Sequence, residues 1–330
     1  MKNRIIILVL LTAITISGCQ GTSSKDSYFL ALNFKPEQSL SYKFISDRAV
    51  TLDWNTKDKA GQSKAALVQG NERLEMVVDY TLENLDPNGL ATIRGKCKSA
   101  VVTRKGELFR KKGTDAAQSF AGKSFTFTVD ARGRIHDYSD MKRVFYETGE
   151  NAFSKSRSRG RIKAQDMVAD IVATQWFLWD PLASIEDPLA GVAPGDSWNS
   201  SISVPTPIIV KESRDVQYDF VEVRDTDTGR IALVKSTYSP SSLEQKDWPI
   251  PYQGKFQVSG TFGFLTTFTS GFEVLELSGT GYEYFNLDKG YTKKRTQNYN
   301  ITMQSTSRSM MGTKPIISLK QHLMMSLISK

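Results

Sequence analysis

Apolar and polar residues alternate with a period of two through most of the chain, the spacing of strands that bury one face. Leu74 to Leu85 places Val78, Tyr80 and Leu82 on one side; Asp86-Pro87-Asn88-Gly89 supplies turn chemistry, and Leu90 to Val102 returns, which predicts a long hairpin. Val216 to Val223, the turn Asp225-Thr226-Asp227-Thr228-Gly229 and Ile231 to Tyr238 predict a second hairpin of the same layout. Phe125 to Gly133 and Tyr282 to Gly290 form a further matching pair, each an aromatic strand followed by Asp and Gly. Ser39 to Trp54 alternates in part, as do Gln297 to Met303 and Ile317 to Leu327, with a helix as the alternative at the end of the chain. The matches predict two related β halves, through duplication or through convergence on one hairpin pattern.

Between the halves the period changes. Ser139 to Ala152 has helix-compatible composition, with Val144 and Phe145 as apolar contacts. Ala164 to Trp179 carries Val168, Ile171, Val172, Trp176 and Trp179 at helical spacing, and ends where Asp180 precedes Pro181. Such helices are marginal alone in water, so they are expected to cover a sheet face. The expected fold is mainly β, with large antiparallel sheets in two related halves, residues 28–138 and 185–330, and a central two-helix insert at 139–184.

The N-terminus follows another logic. Lys2 and Arg4 precede an uncharged apolar run from Ile5 to Ile16, too short for the roughly 20 residues that span a bilayer. Ile16-Ser17-Gly18-Cys19 resembles the lipobox of bacterial lipoproteins. The resemblance implies that residues 1–18 are removed as a signal peptide and that Cys19 is lipidated. Two or three acyl chains hold a protein to a membrane nearly permanently, whereas one does so marginally. Residues 19–27 then form a lipidated cysteine and a Gly/Ser-rich tether. Gln20 in place of Asp implies, for a Gram-negative host, an outer-membrane protein facing the periplasm.

Composition adds limits. The formal net charge of +8 over 330 residues falls by two when Lys2 and Arg4 are removed, a mild excess that favours anionic lipid or polymer without requiring it. With Cys19 committed to lipid, Cys97 is unpaired within the chain. Its phase in Ile93-Arg94-Gly95-Lys96-Cys97-Lys98 turns it towards the core with Ile93, as a structural thiol. Lys155, Arg157, Arg159, Arg161 and Lys163 form a basic run that is a candidate contact for phospholipid head groups or an anionic glycan, or else an exposed loop before a helix. The run has no interleaved aromatics, and no nucleic-acid partner is expected.

Chemistry-bearing patterns are sparse. His136 and His322 are the only histidines, and no spacing ties either to a nucleophile. Gly195-Asp196-Ser197 resembles the nucleophile motif of GDS-type esterases but lacks the downstream Asp-x-x-His, and reads as a turn after Pro194. Asp225-Thr226-Asp227 opens like a calcium loop, yet Gly229 and Ser236 stand where further oxygen ligands belong. No metal, cofactor or catalytic residue is expected, and no enzymatic activity.

Pro194-Gly195-Asp196-Ser197-Trp198 and Gly279-Thr280-Gly281-Tyr282-Glu283-Tyr284-Phe285, with the turn Asp288-Lys289-Gly290, resemble the bacterial lipoproteins and secreted proteins grouped as domain of unknown function 6263, over roughly residues 40 to 330. That family implies no activity. In architecture alone, a large antiparallel sheet with a helical plug looks like envelope lipid carriers of the lipoprotein-localisation type. The leading expectation is non-enzymatic binding of an apolar ligand or an envelope partner. It is motivated by the helical stripe and by Phe256, Phe262, Phe264, Phe268 and Phe272. A structural or assembly scaffold is the alternative, and a hydrolase the third.

Overall fold

A computed structural model describes residues 26–33, 35, 38–54, 56–57, 63–64, 67–107, 116–131, 133, 135–141, 143–144, 147, 191–199, 204–205, 213–241, 272–305 and 312–329. Its strands are β1 (Ser39–Asp53), β2 (Thr56–Lys57), β3 (Ser63–Lys64), β4 (Leu67–Leu85), β5 (Ala91–Gly106), β6 (Ser124–Val129) and β7 (Ile135–Asp137). They continue as β8 (Ser197–Asn199), β9 (Val204–Pro205), β10 (Ser213–Thr226), β11 (Gly229–Pro240), β12 (Phe272–Asn286), β13 (Tyr291–Ser305) and β14 (Ile316–Ser329). Strands β2 and β3 make a small separate hairpin, and the rest form one antiparallel sheet of twelve strands.

The order across that sheet is β7-β6-β5-β4-β1-β14-β13-β12-β11-β10-β8, with β9 also on β10. The chain starts at the centre, meanders out to one edge, crosses to the opposite edge and meanders back. β1 and β14 then pair antiparallel from Asp53↔Ile316 to Ser41↔Ser329 and close the seam. The expectation of separate sheets in two halves is thereby corrected: the halves share one ladder, because β1 and β14 satisfy each other's edge groups. Ile316–Ser329 is strand rather than helix.

Both predicted hairpins are present. β4 and β5 join through a turn in which Asp86 Oδ1 accepts from the Asn88 and Leu90 amides, and Gly89 takes φ +85°. β10 and β11 join at Thr226–Gly229, with Gly229 at φ +114°. Tyr80 and Leu82 in the first and Tyr218 and Phe220 in the second all face the buried side. The sequences β1-β4-β5-β6-β7 and β8-β10-β11-β12-β13 run the same way across the sheet, the layout of a repeated meander with β14 in the seam. The second matched pair differs. Phe125 and Phe127 are buried, whereas Tyr282 and Tyr284 point to the open face. A one-residue offset reverses every side chain of a strand, so only the turn positions correspond.

One face of the sheet is buried throughout, around Leu40, Tyr42, Phe44, Met76, Val78, Tyr80, Ile93, Phe125, Phe220, Ile301 and Leu319. Among the described residues it is covered by a 3-10 turn at Ala116–Phe120, by Leu30 and Val192, and by Met141 and Val144. Of the expected two-helix insert, residues 139–141, 143–144 and 147 are helical; the remainder, including Ala164–Trp179, lies outside the described residues. The second helix of the insert is therefore not shown. No described helix is long and apolar enough to cross a membrane.

Candidate functional site

The alternation fails in register on four adjacent strands, β14, β1, β4 and β5, beside a β13 that keeps it through Tyr299. Asn298-Tyr299-Asn300 on β13, Lys320-Gln321-His322 on β14, Asp47-Arg48-Ala49 on β1, Asn71-Glu72-Arg73 on β4 and Thr103-Arg104-Lys105 on β5 lie side by side. Each middle residue faces the buried side and each flanking residue the open side. The result is a belt, polar on both faces, across the centre of the sheet. It holds five cations (Arg48, Arg73, Arg104, Lys105, Lys320) against the carboxylates of Asp47 and Glu72.

The buried rung runs Tyr299, Gln321, Arg48, Glu72, Arg104. Glu72 is shared: one oxygen accepts from Arg48 Nη2, and the other lies 2.6 Å from Arg104 Nε. The Arg48 and Glu72 side chains are only 2% and 3% exposed. Gln321 donates from Nε2 to Ser46 Oγ at 2.9 Å. Burying such charges is tolerated only when they are paired and hydrogen-bonded, and it rarely adds net stability over apolar packing.

On the open face, Arg73 Nη1 grips both oxygens of Asp47 at 2.9 and 2.7 Å, while its Nε donates to Glu75 Oε1 at 2.7 Å. Lys43 Nζ also reaches Glu75, at 2.8 Å. The hydrogen bond from Lys43, followed by that from Arg73, holds the Glu75 carboxyl below its ordinary range. His322 Nδ1 lies 2.8 Å from Asn298 Oδ1. By contrast, the side chains of Asn71, Thr103, Lys105, Asn300 and Lys320 make no hydrogen bond or ion pair with any described residue. These rungs line a cavity of about 480 Å³, within the range of about 300–1,000 Å³ usual for small-molecule sites. Ala49 is exposed at its centre, where a methyl group leaves the strand backbone approachable.

The residues singled out in the sequence lie elsewhere, apart from His322. His136 on β7 is exposed, with Nε2 3.0 Å from Asp130 Oδ2. Neither imidazole hydrogen-bonds a Ser or Cys among the described residues. Pro194-Gly195 is a turn; Asp196 Oδ2 accepts from the Ala193 amide, and Ser197 Oγ donates to Asp219 Oδ1 at 2.7 Å. Asp225 and Asp227 sit on an exposed hairpin tip, and no group of metal-ligating side chains occurs among the described residues. Cys97 is buried, its Sγ directed at the Ser99 carbonyl, and burial pushes its thiol up to about 12. Cys19 and the basic run Lys155, Arg157, Arg159, Arg161 and Lys163 lie outside the described residues. So do the apolar helix stripe and Phe256–Phe268.

The belt was missed because its signal is split. Arg48, Glu72, Arg104 and Gln321 each fall on the apolar phase of their strand. Any one of them reads as an isolated interruption until the register aligns them.

No protein-family model matches the chain, and no curated protein matches it. Among solved structures, one on lipid–protein interactions in lipovitellin is 11% identical, with a TM-score of 0.46, covering 90% of this chain and 26% of its own. This chain thus spans about a quarter of that one. An engineered protein studied for asymmetric conductivity is 9% identical, covering 87% of this chain and 100% of its own, with a TM-score of 0.20. OccAB4 of Acinetobacter baumannii is 6% identical, covering 88% of this chain and 98% of its own, with a TM-score of 0.16. None of the three follows this backbone closely enough to place the chain in a fold family.

Proposed function

We propose that the chain is a lipid-anchored cell-envelope protein that binds a ligand or partner without catalysing its conversion, the contact being made on the open face of the sheet. The observation that carries the binding site is the groove over Ala49, with its unengaged Asn, Thr and Lys side chains. A surface built only to be wetted does not need a buried rung of charge beneath it, which costs stability. The anchor reading rests on the apolar run and Ile16-Ser17-Gly18-Cys19. For a Gram-negative host, Gln20 favours the outer membrane facing the periplasm.

The test is a photo-crosslinking amino acid placed at Ala49 of the full chain in intact cells, with Asp227 at the distant hairpin tip as control. An adduct formed at position 49 and not at 227 supports the reading; a protein-sized adduct identifies an assembly partner and a small added mass a ligand. No adduct at 49, or equal labelling at both positions, overturns it.

A second reading is an apolar ligand held against the buried face. It keeps the expectation raised by Phe256, Phe262, Phe264 and Phe268, and requires the cover over Tyr42, Phe44, Tyr80, Phe125 and Phe127, each at most 2% exposed, to move aside. Native mass spectrometry of the purified protein would then show a lipid mass released on denaturation, and a bare chain would remove this reading.

A further inference from the structure

The groove carries more than a capacity to bind. Its unengaged charge lies on one open-face rung, Asn300–Lys320–Ala49–Asn71–Lys105. Lys320 and Lys105 are three strand spacings apart, about 14 Å at ~4.8 Å per step. Neither ammonium meets a carboxylate among the described residues, whereas Arg73 on the next rung is neutralised by Asp47 and Glu75. A ligand bridging the two lysines therefore carries negative charge.

The span between the lysines holds a methyl floor and the Asn71 amide, with Asn300 beyond Lys320. An amide both donates and accepts, which suits hydroxyl groups that do the same. No aromatic ring stands on this rung: the Tyr299 ring is turned to the buried side, at 1% exposure. Of the residues lining the groove, only the His322 imidazole on the next rung could stack a base, and it is held by Asn298. An acyl chain would desolvate two lysines and several amides without replacing their hydrogen bonds.

The geometry points to an anionic, hydroxyl-rich ligand: a sugar or short glycan bearing carboxylate or phosphate, laid across β14, β1, β4 and β5 between Lys320 and Lys105. This rests on the open-face binding reading and names its ligand class.

The experiment is calorimetric titration of the full-length protein in detergent with four probes: trigalacturonate, glucose 6-phosphate, neutral maltotriose and inorganic phosphate. At least one of the two anionic sugars binds at one per chain with Kd of about 1 mM or tighter, and both maltotriose and inorganic phosphate bind at least about tenfold more weakly. Which anionic sugar binds more tightly distinguishes a carboxylate from a phosphate source. The double variant K105Q/K320Q loses about tenfold or more of that affinity while its circular dichroism and urea midpoint stay as in the parent, since both side chains are exposed. Equal binding of maltotriose, equal binding of inorganic phosphate, no binding of either anionic sugar, or affinity unmoved by K105Q/K320Q overturns the inference. A protein adduct from the Ala49 crosslink alongside a failed titration would discard the sugar and leave the docking face standing.

Discussion

Glu72 and Arg104 stand directly opposite one another on β4 and β5, with Arg104 Nε 2.6 Å from Glu72 Oε2, while the other carboxylate oxygen takes Arg48 from β1. One carboxylate thus ties three strands together on the buried side. Removing it takes the shared acceptor from two guanidiniums. Glu72→Gln is expected to destabilise the fold by about 3–5 kcal/mol, read as a lower urea midpoint at unchanged slope. Arg73→Gln, on the partly exposed face of the same strand, is expected to cost less than about 1 kcal/mol. Equal losses from the two would contradict the burial that distinguishes them.

Gly95 and Phe125 face each other across β5 and β6, and the ring lies over the glycine. A Cβ at Gly95 would come within 2.2 Å of Phe125 Cζ. Gly95→Ala is expected to lose about 1–3 kcal/mol through overpacking. Combining it with Phe125→Leu should recover part of the loss relative to the sum of the single changes, as measured by a double-mutant cycle in urea. Strict additivity would show that the two do not touch.

The Cys97 thiol is buried beside β4, and burial raises it from an ordinary 9.0 to about 12. Native protein at mildly alkaline pH should resist iodoacetamide, and alkylation should follow unfolding. The folded thiol keeps its proton where the unfolded one has lost it, so this contribution to stability is complete below pH 9.0 and falls away as pH rises towards about 12. Cys97→Ala should flatten that alkaline decline in a pH series of urea midpoints. Rapid alkylation of folded protein at pH 8 would count against a buried thiol.

Cys19 is the proposed lipid attachment point. Cys19→Ala should abolish incorporation of radiolabelled palmitate in growing cells, and the chain should keep its signal peptide or leave the membrane fraction. Continued labelling of the variant would place the lipid elsewhere or remove the anchor reading altogether.

The hairpins were legible because their signals are local. Asp86-Pro87-Asn88-Gly89 states its turn within four residues, and Tyr80 and Leu82 state their face by spacing alone. The single sheet was not legible, since the pairing of β1 with β14 depends on two segments that carry no mark of each other. The candidate site was hidden for the same reason. Ala49, Asn71, Lys105, Asn300 and Lys320 are unremarkable surface residues until five registers bring them onto one line. His322 was noticed for its imidazole, yet its place in the structure is beside Asn298 on the open face, one rung from Lys320. Tyr282 was matched to Phe125 by its turn, and the one-residue offset that sends it outward is invisible without the register.

The seam between β1 and β14 also sets an order of events. Gln321 and Ser46, hydrogen-bonded across it, are 275 positions apart in the chain. Closing so long a loop is slow, and until β14 docks, β1 offers an open edge to any neighbouring strand. The groove takes three of its strands from the early part of the chain and two from the late part. It comes into being only when β14 is in place, so a chain interrupted before β14 would lack the groove, and on the proposed reading any ligand held there would report on the completion of folding itself.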